Sequence, residues 1–109
     1  MSEGMLIAIG VVRAKRGQEQ ELGRRMAALL APTRAEPGCL AYDLFQSSED
    51  SAVWVLLERW RSVADLDAHV STDHMAAFLA RSGEVLDGPP KNFRLQPAPS
   101  VADPGTPSA

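Results

Sequence analysis

A chain of 109 residues, 45% hydrophobic and 23% charged, has the length and make-up of one ordinary soluble domain and buries only a limited core. A formal net charge of -3 without any basic run argues against nucleic-acid binding, and the single cysteine, Cys39, excludes an internal disulfide or a multi-cysteine metal site. No apolar stretch reaches the ~18–20 residues of a membrane span, and the opening MSEGMLIAIG lacks the basic-then-apolar order of a signal peptide, so the expected location is cytoplasmic.

Met5 to Val12 is apolar, rich in β-branched residues and short, which predicts a strand. Ala14 to Gly17 is a turn, and Glu19 and Glu21 suit the positive end of a helix start. Leu22, Met26, Leu29 and Leu30 fall at i, i+4, i+7 and i+8, a helix with one buried face. Pro32 kinks it or marks its last turns, and Pro37-Gly38 ends it. Leu40 to Gln46 alternates as a strand, and Ser47 to Ser51 reads as a hairpin loop. Ala52 to Trp60 is the strongest strand. Ser62 and Asp65 form a capping-box-like pair opening a helix with Val63, Leu66 and Val70 inward. Ser71-Thr72-Asp73 kinks or restarts that helix, and Met75, Phe78 and Leu79 resume its apolar face. Gly83 and Gly88-Pro89-Pro90 precede a last short strand from Lys91 to Gln96. The domain is expected to span residues 1–97, with residues 98–109 a disordered tail rich in Pro, Ser and Ala.

The order βαββαβ predicts an α+β fold with an antiparallel sheet and two helices on one face, the ferredoxin-like arrangement. The third strand is apolar on both sides: Val53, Val55 and Leu57 on one, Trp54, Leu56 and Trp60 on the other. Two helices cover one face only, and a bare apolar sheet is an aggregation hazard, so a homodimer is expected.

Glu58 shares a strand face with Trp54, Leu56 and Trp60, where desolvation raises a carboxyl pKa and suits acid–base work. The plain alternative is a structural ion pair with Arg59, Arg61 or Arg94. His69 and His74 border the apolar face of the second helical segment, and each is a candidate base or a hydrogen-bonded structural residue. Five residues along a continuous helix turn the direction by about 140°, so the two histidines are not expected to share a metal, and no third ligand stands nearby in sequence. Trp60 offers flat stacking surface beside the helix start. Tyr42 alternates onto one face with Leu40 and Leu44, and Cys39 reads as a small core hydrophobe. A serine triad, a phosphate loop and a nucleotide fingerprint are all absent, so no cofactor is expected and an enzyme here draws on its substrate's own reactivity.

The runs Glu36-Pro37-Gly38-Cys39-Leu40-Ala41-Tyr42, Glu58-Arg59-Trp60, Ala68-His69 and His74-Met75-Ala76-Ala77-Phe78 resemble the antibiotic biosynthesis monooxygenase family, above all its small bacterial quinol-monooxygenase-like members. The resemblance covers Met5 to Gln96. It implies a dimeric α+β barrel and cofactor-free oxidation of a quinol-like or polyketide-like aromatic by dioxygen. The positions used by haem-degrading relatives hold Gly10, His69 and Leu79, which departs from that pattern. Of the anthrone-oxidising set only Trp60 matches; Leu56 and Leu66 stand at two other positions, with Arg81 near the last. What matches is the set Glu58, His69 and His74.

In the chemistry so implied, His74 or His69 removes a phenolic proton, Glu58 orients the histidine or relays for it, and Trp60 and Phe78 stack on the ring and exclude water. Arg94 and Lys91 on the last strand would suit a second reading, isomerisation of a small phosphorylated diketone by proton abstraction. A third reading is a dimer that binds a small ligand without catalysis.

Overall fold

Four strands and four short helices alternate along residues 5–99, those that the computed structural model of the chain describes. They are β1 (Leu6–Arg13), α1 (Glu19–Ala27), α2 (Leu30–Arg34), β2 (Cys39–Gln46), β3 (Val53–Trp60), α3 (Val63–His69), α4 (Asp73–Ala80) and β4 (Lys91–Leu95), with a 3-10 turn at Ser82–Glu84. The tail expected over residues 98–109 lies outside the described residues from residue 100 on. The sheet order is β2-β3-β1-β4 with every neighbouring pair antiparallel, so the chain has the α+β ferredoxin-like fold expected from its βαββαβ order.

Each predicted helix is two short helices, for identifiable reasons. Pro32 has no N–H to give the carbonyl of Ala28, and its ring crowds that carbonyl. The interruption falls there: the N–H of Leu29 turns back to the Met26 carbonyl, and α2 begins at Leu30. In the second helical segment, the N–H groups of Ser71 and Thr72 bond three residues back, to Ala68 and His69, tightening the end of α3 before Asp73 starts α4. Ser62 caps α3 as expected, its hydroxyl accepting from the Asp65 N–H at 3.1 Å.

The strand register divides the sheet into two faces. Ala8 and Val12 of β1, Tyr42 and Leu44 of β2, and Trp54, Leu56, Glu58 and Trp60 of β3 point toward the helices. Leu22, Met26 and Leu29 close over them from above and are almost fully buried. The opposite face carries Phe45, Leu57, Phe93 and Leu95, between 38% and 52% exposed. The two-faced β3 pattern is therefore real: one face forms the core, the other is apolar and uncovered in the single chain.

Three side chains depart from the expected pattern. A bulge between Cys39 and Ala41 turns Leu40 outward, away from the face of Tyr42 and Leu44. Val63 and Val70 are about half exposed rather than inward, because α3 is only seven residues long and its buried positions are Leu66 and His69. Val70 instead joins Met75, Phe78 and Leu79 in walling a cavity.

Gly23 of α1 lies where a Cβ would come within 2.4 Å of the Trp54 ring, so helix and sheet approach closely there. Gly23→Val is expected to lower the free energy of unfolding by about 1–3 kcal/mol through overpacking. Urea unfolding measures this; an unchanged midpoint would mean that the Trp54 ring moves aside at no cost.

Candidate active site

The break between α3 and α4 decides the site. His69 is the last residue of α3 and His74 the second of α4, so each imidazole projects from its own short helix. Both reach one carboxylate, that of Glu36 in the connection between α2 and β2. His69 Nδ1 lies 2.8 Å and His74 Nε2 2.7 Å from the same Glu36 Oε2. The three hydrogen-bonded side chains are largely shielded, with exposures of 3% for His69, 10% for Glu36 and 23% for His74.

Neighbouring groups fix where the protons sit. Thr72 Oγ1 donates to the His69 carbonyl at 2.8 Å, so it presents lone pairs to His74 Nε2 at 3.3 Å. Both neighbours of His74 Nε2 are then acceptors, which places a proton on that nitrogen. Glu36 likewise calls for N–H on His69 Nδ1, and a neutral His69 is left with a bare Nε2.

A second layer holds the His69 ring. Trp60, fully buried, lies against it with ring centroids 4.9 Å apart, and Tyr42 meets it edge-on at 5.5 Å. Trp60 Nε1 donates to Glu58 Oε1 at 2.8 Å, so its polar end is satisfied without solvent. Glu58 is itself 8% exposed. Burial pushes its carboxyl above the usual range, against the opposing pull of the Trp60 N–H and of His69. Burial, and then the nearby Glu58, likewise push the Tyr42 hydroxyl upward, keeping it a proton donor. That hydroxyl and the buried Thr33 hydroxyl are neighbours, close enough for Thr33 to oppose the upward shift though their geometry falls short of a hydrogen bond.

Tyr42, Glu58 and His69 border a cavity of about 250 Å³ between the sheet and α3–α4. Its walls are mainly apolar, from Leu56, Leu66, Val70, Met75, Phe78 and Leu79, and its polar groups are Tyr42, Glu58, His69, Asn92 and Arg94. Five predicted site residues (Tyr42, Glu58, His69, Phe78 and Arg94) thus meet at one cavity. Trp60 does not reach it, standing behind His69 as the plate on which that ring rests. His74 is also off its wall and borders a shallower cleft with Glu21, Arg25, Phe78 and Arg81. Arg94 is engaged by Asp67 of α3 at 2.9 Å.

Two sequence expectations need correction. The histidines do not diverge, because the continuous helix assumed for a five-residue spacing does not exist. A third potential ligand does stand beside them: Glu36, with Oε2 and the two ring nitrogens all within 4.8 Å of one another. The ion pair with Arg59, Arg61 or Arg94 that stood as the alternative for Glu58 does not form: Trp60 donates to it, and Arg94 pairs with Asp67. The available signal was the Ser71-Thr72-Asp73 restart, but no local pattern links Glu36 to residues 33 and 38 positions away.

The chain is similar to known proteins over most of its length. Residues 5–81 match the family model described as antibiotic biosynthesis monooxygenase, and the chain belongs to that family. It is similar to the crystal structure of PA3566 from Pseudomonas aeruginosa, with a TM-score of 0.84 and 35% identity, over 90% of this chain and 98% of that one. The structure of Rv0793 from Mycobacterium tuberculosis superposes with a TM-score of 0.81 at 33% identity, covering 87% of this chain and 96% of that one. In direct sequence comparison the Rv0793 match is 45% identical but takes in 57% of this chain and only 60% of that relative's length. The Escherichia coli protein named "Probable quinol monooxygenase YgiN" is 34% identical over 85% of this chain and 98% of its own.

The environment of Glu58 makes a pH test possible. Because its folded pKa is raised, its contribution to stability is fully present below the ordinary carboxyl value of 4.5 and is lost as pH climbs through the raised value. The parent protein is therefore expected to lose stability relative to Glu58→Gln as pH rises above 4.5, a divergence that urea midpoints across a pH series would reveal. Parallel pH profiles for the two proteins would show that Glu58 ionises in the fold at no cost.

Proposed function

We propose that this protein is a cofactor-independent monooxygenase that oxidises a quinol-like or polyketide-like aromatic substrate with dioxygen. The observation that carries the reading is the placement of His69: its ring borders a mainly apolar cavity, Nδ1 is held by Glu36, and Nε2 is left for a bound hydroxyl. Relatives with monooxygenase names support the same class of chemistry. Phe78, Leu56 and Met75 provide flat, dry walls, and the volume suits a molecule of one or two fused rings.

His69 Nε2 takes a phenolic proton, and Glu36 steadies the imidazolium that results. The electron-rich anion passes one electron to dioxygen, giving a semiquinone and superoxide. These combine at a ring carbon as a hydroperoxide. Loss of the hydrogen on that carbon breaks the O–O bond, leaving one oxygen on the ring as a carbonyl and releasing the other as water. Dioxygen thereby takes four electrons, two from the quinol-to-quinone change and two from the carbon that gains oxygen. Tyr42 supplies a hydroxyl donor for an oxygen atom of the substrate, and Glu58, whose pKa burial raises, stands on the same cavity wall. His74, off the cavity wall, acts by sharing Glu36 and fixing its position.

The assembly belongs to the same proposal. Phe45, Leu57, Phe93 and Leu95 make one sheet face apolar, and stacking two such faces in a homodimer removes them from water. An isomerase of a small phosphorylated diketone is the second reading, favoured by the Arg94 and Asn92 side chains on the cavity wall.

Oxygen uptake with anaerobically prepared benzo- and naphthoquinols is expected for the parent and is expected to fall about 10²–10⁴-fold in His69→Gln. No uptake, with solvent deuterium entering a diketone instead, would favour the isomerase. For the assembly, the parent is expected to sediment as a dimer at micromolar concentration and Leu57→Asp as a monomer; a monomeric parent would remove the stacked-sheet proposal.

A further inference from the structure

Orienting His69 requires one acceptor on its Nδ1. It does not require that the same carboxylate oxygen also hold a second imidazole brought from another helix. Glu36, His69 and His74 come from three separate segments, and their donor atoms converge within 4.8 Å. Two imidazoles and one carboxylate are a ligand set of intermediate softness with a net charge of -1, suited to zinc, cobalt, nickel, copper or iron in the divalent state. We propose that these three residues form a binding site for one divalent transition-metal ion, Zn²⁺ being the reference case.

The present distances, 2.7 and 2.8 Å to the shared oxygen, are those of hydrogen bonds and describe the metal-free arrangement. A metal about 2.0–2.1 Å from each donor needs the donors some 3.3 Å apart in a tetrahedral site, so Glu36 Oε2 must withdraw by about half an ångström and the two imidazole nitrogens, within 4.8 Å of each other, must settle at that same spacing. Glu36 is placed for that: it lies in the connection between α2 and β2, and its side chain has three torsions. His69 is immobilised by Trp60 and Tyr42, and His74 presents its more exposed side to the cleft of Glu21, Arg25 and Arg81, which gives an entry path. Three protein ligands leave a coordination position open for water.

Occupation has a consequence for the cavity. A metal on His69 Nδ1 displaces that proton, and the neutral ring then carries its proton on Nε2. Nε2 changes from acceptor to donor, so the metal and the proton removal proposed above exclude one another. This consequence rests on the oxygenase reading; the metal site itself does not.

The chain contains two histidines, and both belong to this cluster, so any imidazole coordination reports on it directly. Titration of tag-free, chelator-treated protein with Co²⁺ is expected to develop visible d–d absorption that saturates at one ion per chain and is displaced by Zn²⁺. Glu36→Gln and His74→Ala are each expected to weaken binding by at least about tenfold. Zn²⁺ should raise the melting temperature of the parent and stop its quinol-dependent oxygen uptake, with recovery on adding chelator. Failure of the parent to bind Co²⁺ stoichiometrically overturns the metal site whatever the variants do. Binding unchanged in both variants overturns it equally. A protein that binds Co²⁺ but consumes no oxygen with any quinol retains the metal site and loses the oxygenase reading.

Discussion

A single carboxylate oxygen accepting from two imidazoles is the contact around which the site is arranged. Hydrogen bonds to a charged acceptor are worth roughly 1.5–3 kcal/mol, and removing the acceptor would leave two shielded N–H groups unpaired at further cost. The contact joins the connection after α2 to the end of α3 and the start of α4. It also explains why the break between α3 and α4 is useful. A continuous helix would point the histidines about 140° apart, and only one could reach Glu36. The Thr72 hydroxyl, spent on the His69 carbonyl, stabilises the broken form and at the same time sets the proton on His74.

The sheet supplies the complementary constraint. Because side chains alternate strictly, the register that buries Trp54, Leu56, Glu58 and Trp60 must turn Val53, Val55 and Leu57 the other way. A glutamate is thereby carried into the core at a position flanked by tryptophan. It is tolerated because the Trp60 indole donates to it and because burial favours its neutral form. The same alternation delivers Asn92 and Arg94 of β4 to the cavity side, opposite Gly10 and Ala8, while Phe93 and Leu95 join the outer face. Site and outer surface are two sides of one register.

Much of this could be read from the sequence because it is written in local periodicity. The strands, the helix face of Leu22, Met26 and Leu29, the Ser62 cap and the two-faced β3 all depend on neighbours within eight residues. Tyr42, Glu58, His69, Phe78 and Arg94 could be named because strand parity and helix spacing put them near one face. Glu36 could not. Its partners are 33 and 38 residues distant, and its immediate context, a Pro-Gly turn, suggests nothing but a loop. The histidine spacing misled for a related reason: helical arithmetic applies only where the helix continues, and the Ser71-Thr72-Asp73 restart had to be taken as a full break. Trp60 shows a third limit. Its place at the strand end was legible, but whether a large aromatic faces a ligand or backs another side chain depends on what stands in front of it, here His69.

His69 therefore lies between two carboxyl groups with different environments, and that difference divides the work. Glu36 is met by two N–H donors and serves as a fixed negative partner. Glu58 receives one indole N–H in an almost dry setting, where burial moves it toward the neutral acid. The two carboxyls thus differ in hydrogen bonding and in burial, the kind of contrast by which sites separate acid from base roles. The consequence for the order of roles is specific. Glu58 has stabilising contacts of its own, from the Trp60 N–H and from the charges of His69 and Arg94, but burial outweighs them. In the proposed chemistry orientation falls to Glu36, whose oxygen meets His69 Nδ1, while Glu58 borders the cavity.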